Sequence, residues 1–285
     1  MNRLDPLDFA RAVAMLLIFI SHSGLPFPFD CLGGIGVIIF FAISGYQIGR
    51  GFKSGRYTTS SYLRKRFCAV GLPYIIFVLF VALIVDPVYS VNNPVDIIRL
   101  ITFIGIWETG PYLWHLWFIP VLMQLYLLAL VFAYFMRNIK DDVRCCRWLF
   151  GLIMSGGLAI LPLGFIIGFD TYHYFWGWIF AFFGAYMISY MGLERYTKKI
   201  DGIRKNNVPL SINAVKQNKW RIFEAFSLIS FGFYLWHLPA LQSVKMMGVE
   251  NSIVLILVSL TISCMLGAIW YLTVEKWAKG LKGVG

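Results

Sequence analysis

A chain of 285 residues that is 59% hydrophobic, 18% aromatic and only 14% charged, with a mean hydropathy of +0.72, cannot build a water-facing surface; soluble domains carry about 25% charged residues. Its net charge of +11 does not point to nucleic acid, because the basic residues lie in short stretches between apolar runs and no nucleic-acid module is visible. The five cysteines, Cys31, Cys68, Cys145, Cys146 and Cys264, contain no C-x-x-C pair, so neither a disulfide framework nor a metal centre is expected.

Apolar runs bounded by charge or turn residues fall at 5–22, 32–50, 67–86, 113–136, 149–168, 174–191, 223–242 and 252–275. Each is near the roughly 20 residues that a spanning helix needs. The expected fold is all-α: a polytopic transmembrane helix bundle of about 8 spans (8–10), with 1–285 forming a single membrane domain. The first run is read as a retained span, since Arg11 lies inside it and no small-residue cleavage site follows.

Orientation follows from lysine and arginine. Arg50, Lys53, Arg56, Arg64, Lys65 and Arg66 cluster after the second run, and Arg137, Lys140, Arg144 and Arg147 after the fourth. With segment 192–222, the C-terminal lysines, Arg3 and Arg11, twenty-three of the 25 basic residues fall on one side of an eight-span layout. Both termini are therefore expected in the cytoplasm. Segment 192–222, with Lys198, Lys199, Asp201 and Pro209, reads as a basic cytoplasmic loop. Residues 94–107 (PVDIIRLITFIGIW) are too short to span and too apolar for an ordinary loop. They are expected to form an interfacial or re-entrant helix on the outer side.

Arg11 and His22 are the first candidates for chemistry. Eleven positions apart, they are separated by three helical turns plus about 20°, hence share a face, and stand about 16 Å apart along the axis. A polar residue inside a span is costly and marks a functional hypothesis; the expected partner of Arg11 is Asp8, one turn earlier. Under the eight-span layout His22, His115, His173 and His237 all fall at the outer side. They can form one site, although imidazole also favours interfaces for its amphipathic ring. The small residues Gly33, Gly34, Gly36, Ser44 and Gly45 let a helix or a slender ligand approach the second run closely. Arg64-Lys65-Arg66 places three cations where the third run meets the cytoplasm, fit for topology, lipid headgroups or phosphates.

The order of these landmarks resembles acyltransferase family 3, the integral-membrane O-acyltransferase family. RLDPLDFARAVAMLLIFISH resembles its first helix, with the arginine, ten residues, histidine arrangement landing on Arg11 and His22. GVIIFFAISGYQI resembles its second helix, landing on Ser44, Gly45 and Tyr46, and SYLRKRFCAVGLPY its third, landing on Arg64, Arg66, Pro73 and Tyr74. LWFIPVLMQLYLL, SLISFGFYLWHLP and YLTVEKWAK resemble later signatures, landing on Trp117, Pro120, Gln124 and Tyr126, on Ser230, Tyr234 and His237, and on Glu275. Many members carry an acidic residue where this chain has Ile38, and a glutamate where it has Leu122.

The resemblance implies a membrane O-acyltransferase moving acetyl from cytoplasmic acetyl-CoA to a hydroxyl of a cell-surface polysaccharide or exopolysaccharide, free or lipid-linked. A bacterial inner membrane is the implied location, with membrane lipids as neighbours and no nucleic acid as partner. His22 and Arg11 are the expected catalytic residues. Arg11, Arg64 and Arg66 would bind the acyl-CoA donor, and Trp117, Tyr126, Tyr234 and His237 would line the acceptor site. The competing reading is a transporter or permease in which the same intramembrane Arg11, His22 and His237 line a path. Against it, the sequence shows no internal repeat.

Overall fold

The computed structural model describes residues 6–85, 94–104, 113–139, 143–167, 175–191 and 210–281. Among these residues there is no strand, and the described part of each predicted apolar run is helical but for the turn residue Leu113. In chain order the helices are α1 (Pro6–His22), α2 (Leu32–Lys53), α3 (Thr59–Arg66), α4 (Leu72–Phe80), α5 (Pro94–Ile101), α6 (Phe118–Ile139), α7 (Val143–Ile167), α8 (Ile179–Met191), α9 (Leu210–Met246), α10 (Ser252–Trp270) and α11 (Lys276–Gly280). Short 3₁₀ turns lead into α2, α6 and α8.

Local chemistry sets several of these boundaries. Thr58 and Ser61 form a capping box at the start of α3, each side-chain oxygen accepting from the other's backbone N–H at 3.2 and 3.0 Å. Asn251 caps α10 by accepting from Ile253 and Val254 N–H at 3.0 and 3.1 Å. Between α3 and α4 the helix widens into a π turn over Phe67–Gly71. Pro73, which cannot donate to the carbonyl one turn back, follows directly.

Four described segments are long and apolar enough to cross a membrane: Phe29–Lys53, Thr59–Ile84, Trp114–Asn138 and Ser252–Gly280. The third and fifth helical segments start earlier than their apolar runs, at Thr59 and Val143, and the largest difference is at the seventh. The helix expected at 223–242 begins at Leu210, so the part of the predicted 192–222 loop from Leu210 onward is helical, while 192–209 lies outside the described residues. The apolar run marks where a helix enters lipid. It does not mark where the helix starts, because Ala, Lys, Gln and Arg in the polar stretch all favour helix.

The helices pair with consistent directions. α1 and α9 run parallel: Phe9 meets Phe223 with ring centroids 5.0 Å apart, and Phe19 meets Phe233 at 5.7 Å. α2 and α8 also run parallel, Phe41 stacking on Trp178 at 5.3 Å. Their backbones touch at Gly45, where a Cβ would stand 1.9 Å from the Phe182 carbonyl oxygen. α1 and α2 are antiparallel, Gly33 lying against Ser21 and Gly36 against Ala14 and Ile18. The core threads through all of these pairs and is rich in aromatic rings, including Phe19, Phe41, Tyr62, Tyr74, Phe182 and Phe233.

Candidate active site

Polar groups line the α1–α9 seam at both ends. Near the start of α1, Arg11 Nη1 donates to Asp8 Oδ1 at 2.8 Å and to Ser227 Oγ at 2.9 Å, and Ser227 Oγ donates to Asp8 Oδ1 at 2.9 Å. The expected Arg11–Asp8 pair is therefore present, and it is closed into a triangle by a serine that the sequence reading passed over. At the other end His22 Nδ1 lies 2.8 Å from His237 Nε2, with the two imidazoles stacked at 15°. Both ends belong to one register: residue pairs 11–227 and 22–237 differ by 216 and 215 positions, as parallel helices in continuous contact require.

Ser227, Ser230, Tyr234 and His237 recur at three- and four-residue intervals and so share a face of α9. That periodicity was the available signal for Ser227. Ser230 Oγ donates to the Ser227 carbonyl at 2.7 Å. His237 is fully buried, and its Nδ1 lies 2.6 Å from the Tyr234 carbonyl oxygen. Tyr234, also buried, donates its hydroxyl to the His115 carbonyl.

His115 stands edge-on to His237 with ring centroids 4.9 Å apart. It donates from Nε2 to the Leu235 carbonyl at 3.3 Å, while its buried Nδ1 has no partner. Trp114 packs edge-on against His22 at 4.9 Å. The structure thus gathers three of the four histidines, as the topology suggested; His173 lies outside the described residues. Trp117 sits behind this cluster, buried and stacked on Trp178 at 5.9 Å. Among the described residues no group of three potential ligands is arranged to hold a metal ion.

Arg64 and Arg66 belong to a separate place. With Tyr126 and Gln124 they line a cavity of about 770 Å³, whose other walls include Phe67, Phe103, Leu127 and Trp176. Arg66 is held by three tyrosines, its guanidinium carbon 5.7, 5.8 and 5.5 Å from the ring centres of Tyr57, Tyr62 and Tyr126. Nη2 donates to the Tyr57 hydroxyl at 2.8 Å, and the buried Nε has no partner. Such a cage stabilises a guanidinium without neutralising it. Tyr62 and Arg66, four apart on one helix, carried the signal for the cage; Tyr57, from the preceding turn, did not. Arg64 donates to the Leu281 carbonyl.

The far wall of the cavity comes from the segment after α5. Phe103 adopts φ 59°, a left-handed conformation rare for phenylalanine. There it ends α5 as a Schellman motif, Ile104 N–H donating to Arg99 O at 3.1 Å and Phe103 N–H to Leu100 O at 3.0 Å. Its strain is offset by stacking on Tyr74 at 5.7 Å and by a 2.8 Å hydrogen bond from Gln124 Nε2 to its carbonyl. Gln124 lies well inside Trp114–Asn138, so the chain just after α5 is held against the bundle.

The two positions where this chain departs from many family members are apolar in their surroundings as well: Ile38 is 38% exposed among surface hydrophobics and Leu122 is buried in the core.

Residues 5–205 match the acyltransferase 3 family, described as an acyltransferase domain. A 58-residue stretch is 45% identical to a protein of Shigella phage Sf6 named O-acetyl transferase, covering 18% of this chain and 17% of that protein. No solved structure matches the chain.

Proposed function

We infer that this chain, which belongs to the acyltransferase 3 family, is a membrane O-acetyltransferase that moves acetyl from cytoplasmic acetyl-CoA to a hydroxyl of a cell-surface polysaccharide or exopolysaccharide. The observation that carries the reading is the His22–His237 imidazole pair, held at one end of a helix whose other end holds Arg11. The name of the phage relative supports acetyl as the acyl group.

In this reading His22 takes the proton of the attacking hydroxyl, a role suited to an imidazole. The hydroxyl oxygen bonds to the thioester carbonyl carbon, and the C–S bond breaks. The departing CoA thiolate recovers the proton from His22. Arg11, whose Nη1 is engaged by Asp8 and Ser227, offers its remaining N–H groups to the donor. Arg64 and Arg66 take donor phosphates, with the unpartnered Arg66 Nε as the group that supports this assignment. The roughly 16 Å of helix between Arg11 and His22 is bridged by the donor's pantetheine arm or by an acyl group handed across. Tyr234, Trp117 and His237 bound the acceptor side, whereas Tyr126, expected there from the sequence, packs against Arg66 in the cavity assigned to the donor.

The topology proposed is eight spans with both termini in the cytoplasm of a bacterial inner membrane. Parallel α1 with α9 and parallel α2 with α8 are what strict alternation of eight spans requires of the first with the seventh and the second with the sixth, which supports this layout.

Purified protein incubated with [¹⁴C]acetyl-CoA and envelope polysaccharide tests the function. Label should pass to the glycan, and His22→Ala at normal membrane levels should abolish it. Label accumulating inside vesicles without transfer would instead establish the transporter reading.

A further inference from the structure

Resting on that reading of His22 as the base, the geometry points to His237 as the positioning residue that sets its tautomer, with the backbone carbonyl of Tyr234 as the fixed end of the chain. A carbonyl oxygen can only accept a hydrogen bond. His237 Nδ1, 2.6 Å from the Tyr234 oxygen, therefore carries its proton there. In the neutral ring Nε2 is then a bare lone pair. His22 Nδ1, 2.8 Å from that lone pair, must supply the proton between the two rings. The consequence falls on the far side of His22: its Nε2 is the unprotonated nitrogen, ready to accept a proton.

The arrangement does for His22 what a carboxylate does in serine hydrolases, holding one ring nitrogen protonated so that the other is basic. The difference is that the orienting group is neutral and buried. His237 is fully buried, bracketed by Phe233, whose ring is parallel at 3°, and by His115 edge-on. Neither neighbour competes for its ring nitrogens, since His115 Nε2 is turned to the Leu235 carbonyl. Among the described residues Lys245 brings a cation to this end, its Nζ lying 3.7 Å from the place a Cβ on Gly24 would take. When His22 accepts the substrate proton, its Nδ1–H keeps the bond to His237 Nε2 and the positive charge is shared along it. When the CoA thiolate takes that proton away, the starting tautomers return, so the relay is restored each cycle with no net gain or loss of protons.

The residue types at 237 separate this role from packing. His237→Phe keeps a flat ring of similar size and removes both hydrogen bonds. His237→Gln keeps an acceptor for the His22 N–H and a donor towards Tyr234 but fills the space less well. The probe is CoA thiol released from acetyl-CoA by membranes holding equal amounts of each variant. The expected order is wild type, then Gln, then Phe, with Phe lowered about 10²-fold or more in kcat and an unchanged donor KM. Phe equal to or better than Gln, with His22→Ala inactive, overturns the relay and leaves His22 as the base. Activity in His22→Ala removes the base and the relay together. Nitrogen-15 NMR of histidine-labelled wild-type protein reads the tautomer directly, His22 being assigned by its loss in His22→Ala. A protonated Nδ1 and bare Nε2 on His22 is the expected result; the opposite tautomer overturns the proposal even if the variants fail to fold.

Discussion

Gly45 lies in the Ser44-Gly45-Tyr46 signature of the second helix, and its substitution by alanine measures what that signature is for. A Cβ there would stand 1.9 Å from the Phe182 carbonyl oxygen and 2.7 Å from its carbonyl carbon. Ordinary contact begins near 3.4 Å, so α2 and α8 would have to part by about 1.5 Å, and neither contact is the far end of a flexible side chain that can swing away. Overpacking of this kind costs about 1–3 kcal/mol, and a backbone obstacle puts it near the upper end. The glycine-to-alanine gain in helix propensity returns about 1 kcal/mol, leaving a net loss of about 2 kcal/mol. Gly151, in the interior of α7 with nothing within 4 Å, serves as the control, where the propensity gain stands alone. Thermal denaturation in detergent should therefore place Gly45→Ala well below wild type and Gly151→Ala at or above it. The displacement should also loosen the Phe41–Trp178 and Trp117–Trp178 stacks, read as a red-shift of tryptophan emission. Equal melting temperatures for the two variants would refute the close-contact account and return Gly45 to the candidates for ligand contact.

Other changes address the separate polar sites. Ser227→Ala opens the Asp8–Arg11–Ser227 triangle; with the ion pair partly exposed, a loss of about 1 kcal/mol in stability is expected, and no loss would mean the serine is incidental. Arg66→Lys keeps the charge but gives up the planar fork within the tyrosine cage, so the apparent KM for acetyl-CoA should rise several-fold while the maximal rate changes little. An unchanged donor KM would remove Arg66 from the phosphate site. Gln124→Leu removes the donor to the Phe103 carbonyl and should expose the 94–104 segment to faster hydrogen exchange, without which that bond does not hold the segment. Asn251→Ala removes the α10 cap and should cost about 1 kcal/mol of stability with normal specific activity in the surviving protein.

Periodicity and composition carried much of the architecture. The eight apolar runs are helical because burying backbone in lipid permits little else, and that constraint acts on each run locally. Arg11 pairing with Asp8 was legible for the same reason, since i and i+3 on one helix are neighbours whatever surrounds them. Residues 192–222 show the limit of such reading: hydropathy reports lipid contact, and a polar helical extension from Leu210 leaves no mark in it.

Which helices meet, and in what register, was settled by the fold. Nothing local to His22 or to His237 specifies the 2.8 Å contact between them, because it depends on α1 and α9 running side by side across more than two hundred intervening residues. The same holds for Arg66, whose tyrosine cage joins the α3 turn to Tyr126 of α6, and for the division of the candidate residues between the α1–α9 seam and the Arg64–Arg66 cavity. Sequence by itself determined a membrane helix bundle with polar side chains on one face of its first helix, since both follow from short-range periodicity and the cost of polar groups in lipid. Only tertiary structure decided that a second, buried histidine meets His22, since hydrogen bonds between helices are fixed by packing that no single helix encodes.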